Sequence, residues 1–217
     1  VDIAAGEDPL NPHLILTPTN RLAGGINERR LAELDAKECA YYATITGEFP
    51  WDAYPTAYHL KLKKGAQVML IKNDRDKRWV NGTLAVIEEV TLDCVKVLID
   101  GEVYEVLQDK WEQFEHTYNK ERGETEKEVV GTFTQYPIKL AWAVTIHKSQ
   151  GHTFDDIIID LGNGAFSHGQ VYVALSRCRT LEGISLAKPI RHKDIIFDKR
   201  VCRFTDKFVR SEIGIKS

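Results

Sequence analysis

The sequence predicts an α/β domain split in two by a small all-β insertion. Three observations carry this expectation. An apolar run, His13-Leu-Ile-Leu-Thr17, leads into a helix-like segment from Asn20 to Leu34. Short strand-like runs separated by tight-turn signals fill residues 61–114. From Phe133 onward strand-like and helix-like segments alternate again.

Each element has a local reason. Asn20 can cap a helix whose Ile26, Leu31 and Leu34 share one face. Gly24-Gly25 weakens that helix, and close approach by a neighbour is the expected compensation. Residues 47–59 carry two prolines and little periodicity and read as a connection. The next runs are Gln67-Val-Met-Leu-Ile71, Thr83-Leu-Ala-Val-Ile87, Val95-Lys-Val-Leu-Ile99 and Val103-Tyr-Glu-Val106. Asn73-Asp74, Asn81-Gly82 and Asp100-Gly101 punctuate them, and strands at this spacing suggest a small barrel. Residues 119–128 are highly charged, as a solvated linker or hairpin tip would be. Beyond them we expect a strand at Pro137–Leu140, a helix at Ala141–Ser149 and a buried strand at Ile157–Ile159. A Gly-rich turn, a helix at Ser167–Arg177, a strand at Ile184–Leu186 and a helix over 199–211 follow.

Composition bounds the function. The 217 residues are 43% hydrophobic and 28% charged, ordinary globular values. A net charge of −3 excludes a strongly basic nucleic-acid coat but not a local basic groove. No apolar run approaches the roughly 20 residues of a membrane span. The chain starts at Val1 and shows no signal peptide, which fits a piece of something longer. Cys39, Cys94, Cys178 and Cys202 form no C-x-x-C pair and suit free thiols in a reducing, cytoplasmic compartment.

Several motifs fail on inspection. Gly164 and Gly169 have the glycine spacing of a phosphate loop, but the Lys and Ser/Thr that must follow are missing. Ile157-Ile-Ile-Asp160 resembles a Walker B strand end, yet Leu161 stands where an acid is usual. This chain alone should therefore not hydrolyse ATP. Ser167, with Glu182 and His192 behind it, has the order of a hydrolase triad, but Ser167 does not directly follow its strand. His147, His152 and His168 lack acids or cysteines at ligand spacing, so no metal site is assigned.

Two segments are informative. Leu140 to Phe154 joins an apolar face (Ala141, Val144, Ile146) to a polar end (Thr145, His147, Lys148, Ser149, Gln150) closed by Gly151. That end suits phosphate or another polar ligand, or is simply a helix with a Gly cap. Gly169 to Arg179 ends in two permanent cations, Arg177 and Arg179. They can offset charge in phosphoryl transfer or compensate a helix dipole.

TIHKSQGHTFDDIIIDL resembles motif V, and VYVALSRCRTLEGISL resembles motif VI, of superfamily-one helicases. They are most similar to the 5′-to-3′ group that includes RecD, phage Dda and the Pif-type helicases. LILTPTNRLAGGIN resembles motif IV, and KKGAQVMLIKNDRDKRWVNGTLAVIEEV the start of the group's SH3-like insertion. The match covers most of residues 12–190 in the family's order. The resemblance implies a second RecA-like motor domain, of the P-loop NTPase fold, in two parts (1–60 and 129–217), with an SH3-like β-barrel at 61–128. It implies an ATP-dependent DNA helicase of DNA repair and recombination, cytoplasmic or nucleoid-associated. Its partners would be single-stranded DNA, duplex junctions, and its own N-terminal motor domain, which would bind most of the ATP and Mg²⁺.

The resemblance also implies roles. Arg177 matches the arginine finger, while Gly151 and Thr153 match positions near the nucleotide. Thr145, His147 and Lys148 match contacts to the DNA backbone, and Thr19 and Asn20 lie near the DNA path. Pro18 stands where 3′-to-5′ relatives place an Arg, and the nearby Arg21 is the candidate second phosphate contact. Lys61, Lys63, Lys64, Lys72, Arg75, Lys77 and Arg78 gather near Trp79, either as a strand channel with a stacking ring or as solvated turns. A free-standing DNA-binding module without catalysis is the competing reading.

Overall fold

The computed structural model describes residues 13–119, 124–198 and 200–201. In chain order the elements are β1 (Leu14–Thr17), α1 (Asn20–Glu33), β2 (Cys39–Tyr42), β3 (Thr44–Gly47), β4 (His59–Leu62), β5 (Gln67–Leu70) and β6 (Leu84–Val90). Then come β7 (Val95–Ile99), β8 (Glu102–Val106), β9 (Asp109–Asn119), β10 (Glu124–Gln135), β11 (Ile138–Leu140) and β12 (Ala143–Thr145). The last are β13 (Ile157–Ile159), α2 (Gln170–Leu175) and β14 (Ile184–Leu186). Two compact units result: one holds described residues 13–26 and 143–201, the other residues 27–142.

The first unit is built on a parallel sheet of order β12-β1-β13-β14. β1 is central, with Ile15 opposite Ala143 on one side and Ile158 on the other. A parallel strand covered on both faces should be uniformly apolar. Accordingly, all three isoleucines of β13 are buried, as are Leu14 and Leu16 of β1.

Ala141–Ser149 is not the expected helix. Residues 143–145 form a strand and residues 146–151 a turn. Ala143, Val144 and Thr145 have open ladder positions beside β1, and Thr17 Oγ1 seals the pair by donating to the Val144 carbonyl at 3.3 Å. Long-range pairing outweighs the local helical pattern. Helix α1 matches expectation, but its cap is Thr19, whose Oγ1 accepts the Leu22 N–H at 3.2 Å, while Asn20 is the first helical residue. A Cβ on Gly24 or Gly25 would meet nothing within 4 Å, so the expected close neighbour is not found among the described residues. Helix α2 is shorter than expected, and the segment expected as a helix over 199–211 lies almost wholly outside the described residues.

The second unit is antiparallel, and its largest sheet has the order β11-β5-β6-β7-β8. A three-stranded sheet, β3-β10-β9, and a ribbon, β2-β4, complete it. Val68, Leu70, Ile87, Val97 and Ile138 fill its core. Asp100 and Gly101 both have positive φ (49° and 85°), the geometry of the tight β7–β8 turn that Asp-Gly announces. No ladder joins β8 to β11, so among the described residues the five-stranded sheet is open and not a closed barrel. Turn chemistry and strand spacing are the same in open and closed sheets; only an edge ladder separates them.

Of the charged run 119–128, the described residues fall on β9 and β10, where Asn119 pairs with Glu124, and residues 120–123 lie outside the described residues. Farther along β10, Gly131 faces Gly47 across the β10–β3 ladder. A Cβ on Gly131 would lie 2.1 Å from the Glu48 carbonyl oxygen. The obstacle is backbone and cannot swing away. Gly131→Ala should therefore destabilise the protein by about 1–3 kcal/mol, read as a lowered thermal midpoint. Gly25→Ala, in open space on α1, should not lower it.

Candidate nucleotide and DNA interface at the carboxyl edge of the parallel sheet

In open parallel sheets ligands gather outside the carboxyl ends of the strands. Here that edge carries three segments: Pro18–Arg21 after β1, Ile146–Phe154 after β12, and Asp160–Gly169 after β13. Eight of the ten site residues expected from sequence lie on or beside the first two of these segments, and Arg177 follows the C-terminal end of α2, where Phe154 leads into β13. Trp79 alone lies in the other unit.

Thr19, Asn20 and Arg21 are exposed at the start of α1. His147 and Lys148 are exposed on the turn after β12. Thr145 is buried: its Oγ1 accepts the Lys148 N–H at 3.3 Å, and its carbonyl accepts the Ser149 N–H at 3.1 Å. It shapes the turn that displays His147 and Lys148. Ser149, wholly buried, locks the same turn by donating from Oγ to the Ile146 carbonyl at 2.7 Å. Gly151 has φ +84°, which closes the turn at little cost only for glycine. Thr153 is exposed just beyond it.

Arg177 is half-buried past the end of α2. Its Nε donates to the Val173 carbonyl (3.0 Å), Nη1 to the His152 carbonyl (3.3 Å) and Nη2 to Ser176 Oγ (2.8 Å). All three acceptors are neutral. Backbone bonds between Phe154 and residues 177 and 179 fasten the two segments side by side. Arg179, by contrast, is paired with Asp155 at 3.2 Å.

Sequence reasoning missed the residues that hold this edge in shape. Gln170 is 3% exposed. Its Oε1 accepts the Phe166 N–H at 3.1 Å, and its Nε2 donates to the Pro18 carbonyl at 3.4 Å. One amide thus ties the loop after β13 to the loop after β1. Arg191 and Asp194 brace that loop from behind, with Arg191 Nη2 donating to the Asn163 carbonyl at 2.8 Å. The Arg191 guanidinium beside Asp194 also holds its carboxyl below the usual range. No motif marks these residues, and the bonds that tie them to other loops, Gln170 to Pro18 and Arg191 to Asn163, reach partners distant in sequence.

Ser167 is not a nucleophile elbow. It lies beyond the Gly-rich loop, and its carbonyl accepts the Gln170 N–H. The basic cluster of the second unit is largely neutralised. Lys61 pairs with Glu38, Lys64 with Glu88 and Lys72 with Asp109, each at 2.9 Å. Arg78 grips Asp74 through two nitrogens at 2.6 and 2.8 Å. Trp79 is 7% exposed, with the Arg78 guanidinium 4.7 Å above its ring and Tyr104 against its edge. That ring is covered in the present arrangement.

No family model matches the chain. An ATP-dependent DNA helicase Pif1 from Bdellovibrio bacteriovorus is 36% identical over 207 residues, covering 93% of this chain and 45% of that protein. Unliganded Pif1 from Bacteroides superposes with a TM-score of 0.81 at 36% identity, over 93% of this chain and 46% of that one. Bacteroides Pif1 in complex with ADP-AlF3 and single-stranded DNA gives 0.75 at 36% identity, over 95% and 47%. The α/β unit with this edge has the fold of a helicase motor domain. Within that class the chain is similar to Pif1 helicases over nearly all of its length. It spans about half the length of the relatives it matches.

Two tests follow from the geometry. Gln170→Ala leaves two loops without their shared amide and should cost about 1–3 kcal/mol in urea unfolding. Asp74 titrates in the fold at about 2 instead of 3.8, because Arg78 hydrogen-bonds its charged form. A lowered carboxyl pKa stabilises above the unfolded value and loses that stabilisation as pH falls through the folded one. Thermal stability should thus decline between about pH 4 and pH 2, and Asp74→Asn should flatten this part of the profile.

Proposed function

We propose that the chain is the second, RecA-like motor domain of an ATP-dependent 5′-to-3′ DNA helicase, with an SH3-like module inserted at about residues 61–128. On this reading residues 1–60 and 129–217 form the motor domain. A first motor domain elsewhere in the intact protein carries the Walker motifs, and the enzyme works on single-stranded DNA at duplex junctions in a reducing compartment. The observation that carries the reading is the state of Arg177, a cation past the C-terminal end of α2 whose described hydrogen bonds all go to neutral oxygens.

A phosphate adds opposite charge and bidentate geometry that a neutral carbonyl cannot offer a guanidinium. Arg177 can therefore give up the Val173 and His152 carbonyls when a γ-phosphoryl group arrives across the cleft. There it offsets the charge that spreads over the phosphoryl oxygens in the transition state. The donor set of this edge, guanidinium, backbone N–H and hydroxyl, suits phosphate oxygens better than a metal ion. Mg²⁺ accompanying ATP is accordingly assigned to the first motor domain. Gly151 and Thr153 lie beside the nucleotide, and Arg21 is a second phosphate contact.

Coupling to DNA follows from the same bond. The His152 carbonyl that holds Arg177 belongs to the turn presenting His147 and Lys148. Moving Arg177 toward phosphate releases that turn, and its grip on the DNA backbone changes with the nucleotide state. Thr19 and Asn20 extend the track, while Thr145 shapes the turn. Trp79 contributes to the strand path only if Arg78 moves off its ring.

In the intact protein Arg177→Ala should lower DNA-stimulated ATP turnover about 10³- to 10⁵-fold while leaving single-stranded DNA affinity within a few-fold. Near-normal turnover would sink the assignment. Arg177→Lys should recover only part of the loss, since a point charge lacks the planar fork.

A further inference from the structure

The second unit displays a ring cluster that none of the roles above uses. In the β2–β4 ribbon, Cys39, Tyr41, Leu60 and Leu62 point into the core. The opposite face carries Tyr42 and His59 as a cross-strand pair, with Ala40 and Lys61 beside them. Tyr42 and His59 stack with centroids 4.5 Å apart and planes within 2°. Tyr58 meets Tyr42 edge-on at 6.0 Å. Tyr42 keeps 63% and Tyr58 47% of its surface exposed.

These rings are rigidly supported. Gln135 is wholly buried, and its Nε2 donates to the carbonyls of Tyr41 (3.2 Å) and Tyr58 (3.4 Å). The Ala43 N–H also donates to the Tyr58 carbonyl at 2.8 Å. Behind the face, Tyr58 stacks toward Tyr54, which packs on the buried Phe133. Gln135 fixes the backbone that carries these rings, which lowers the ordering cost of binding on them.

We propose that this face is a stacking platform for single-stranded nucleic acid, taking one or two unpaired bases on Tyr42, His59 and Tyr58. Flat rings with open faces suit bases, which stack without sequence preference. Lys61 supplies the charge complement. It lies on the same face, and among the described residues Glu38 is the acid paired with it, so a phosphate can exchange for Glu38 without a new desolvated charge. The proposal rests on the reading of the chain as a DNA translocase, and adds a contact on the second unit.

The test uses the intact protein with oligothymidylate and an abasic oligonucleotide of equal length. Tyr42→Ala with His59→Ala should weaken oligothymidylate binding about 5- to 100-fold and change abasic binding much less. Tyr42→Phe should bind like the wild type. Because Tyr42 and His59 are exposed, an unchanged thermal midpoint verifies that the variants fold. If wild-type protein binds both oligonucleotides and the double variant matches it, the platform is overturned and the helicase reading stands. If wild-type protein binds neither, the helicase reading itself fails. A photoreactive thymidine analogue should crosslink to Tyr42 or Tyr58; crosslinking confined to the parallel-sheet unit would also overturn the platform.

Discussion

The pairing of β1 with both β12 and β13 is the constraint on which the rest depends. β1 is four residues long, yet it forms two parallel ladders with segments more than a hundred residues away. Parallel pairing aligns the strands' carboxyl ends, and so brings three loops from distant parts of the sequence to one edge. Arg21 and Lys148 owe their common location to those ladders, and Arg177, past the end of α2, is tied to the second loop through His152 and Phe154. Without them the chain would keep its motifs and lose its site.

A second layer of organisation fixes the loops themselves. Thr145, Ser149 and Gln170 are polar and buried, and each spends its hydrogen bonds on backbone near the edge. Arg177 differs from them. Its partners are neutral carbonyls and a hydroxyl, weaker than the phosphate it is suited to meet. On the proposed reading, rigid supports around one displaceable cation let the site respond to a nucleotide without rebuilding itself.

Much of this was legible in the sequence. The all-isoleucine β13, the Asp100-Gly101 turn and the alternation of α/β with all-β segments are local signals, and the structure follows them. Motif residues around Gly151 and Arg177 were legible through resemblance. What stayed hidden was non-local. Ala143–Thr145 reads as a helix until β1 is placed beside it. Barrel closure depends on an edge ladder that no turn motif encodes. The lysines near Trp79 look like a basic patch until Glu38, Glu88 and Asp109 are folded against them. Gln170 carries no motif chemistry of its own, and only its burial between two loops reveals its role.

The central claim is that Arg177 leaves its carbonyl partners for the terminal phosphate of a nucleotide held by a first motor domain. A crystal structure of the intact protein with ADP-aluminium fluoride and single-stranded DNA tests it directly. The account predicts the Arg177 guanidinium within hydrogen-bonding distance of the fluoride group, with its bond to the His152 carbonyl broken. An Arg177 still bound to Val173 and His152, with another cation on the fluoride, would contradict it.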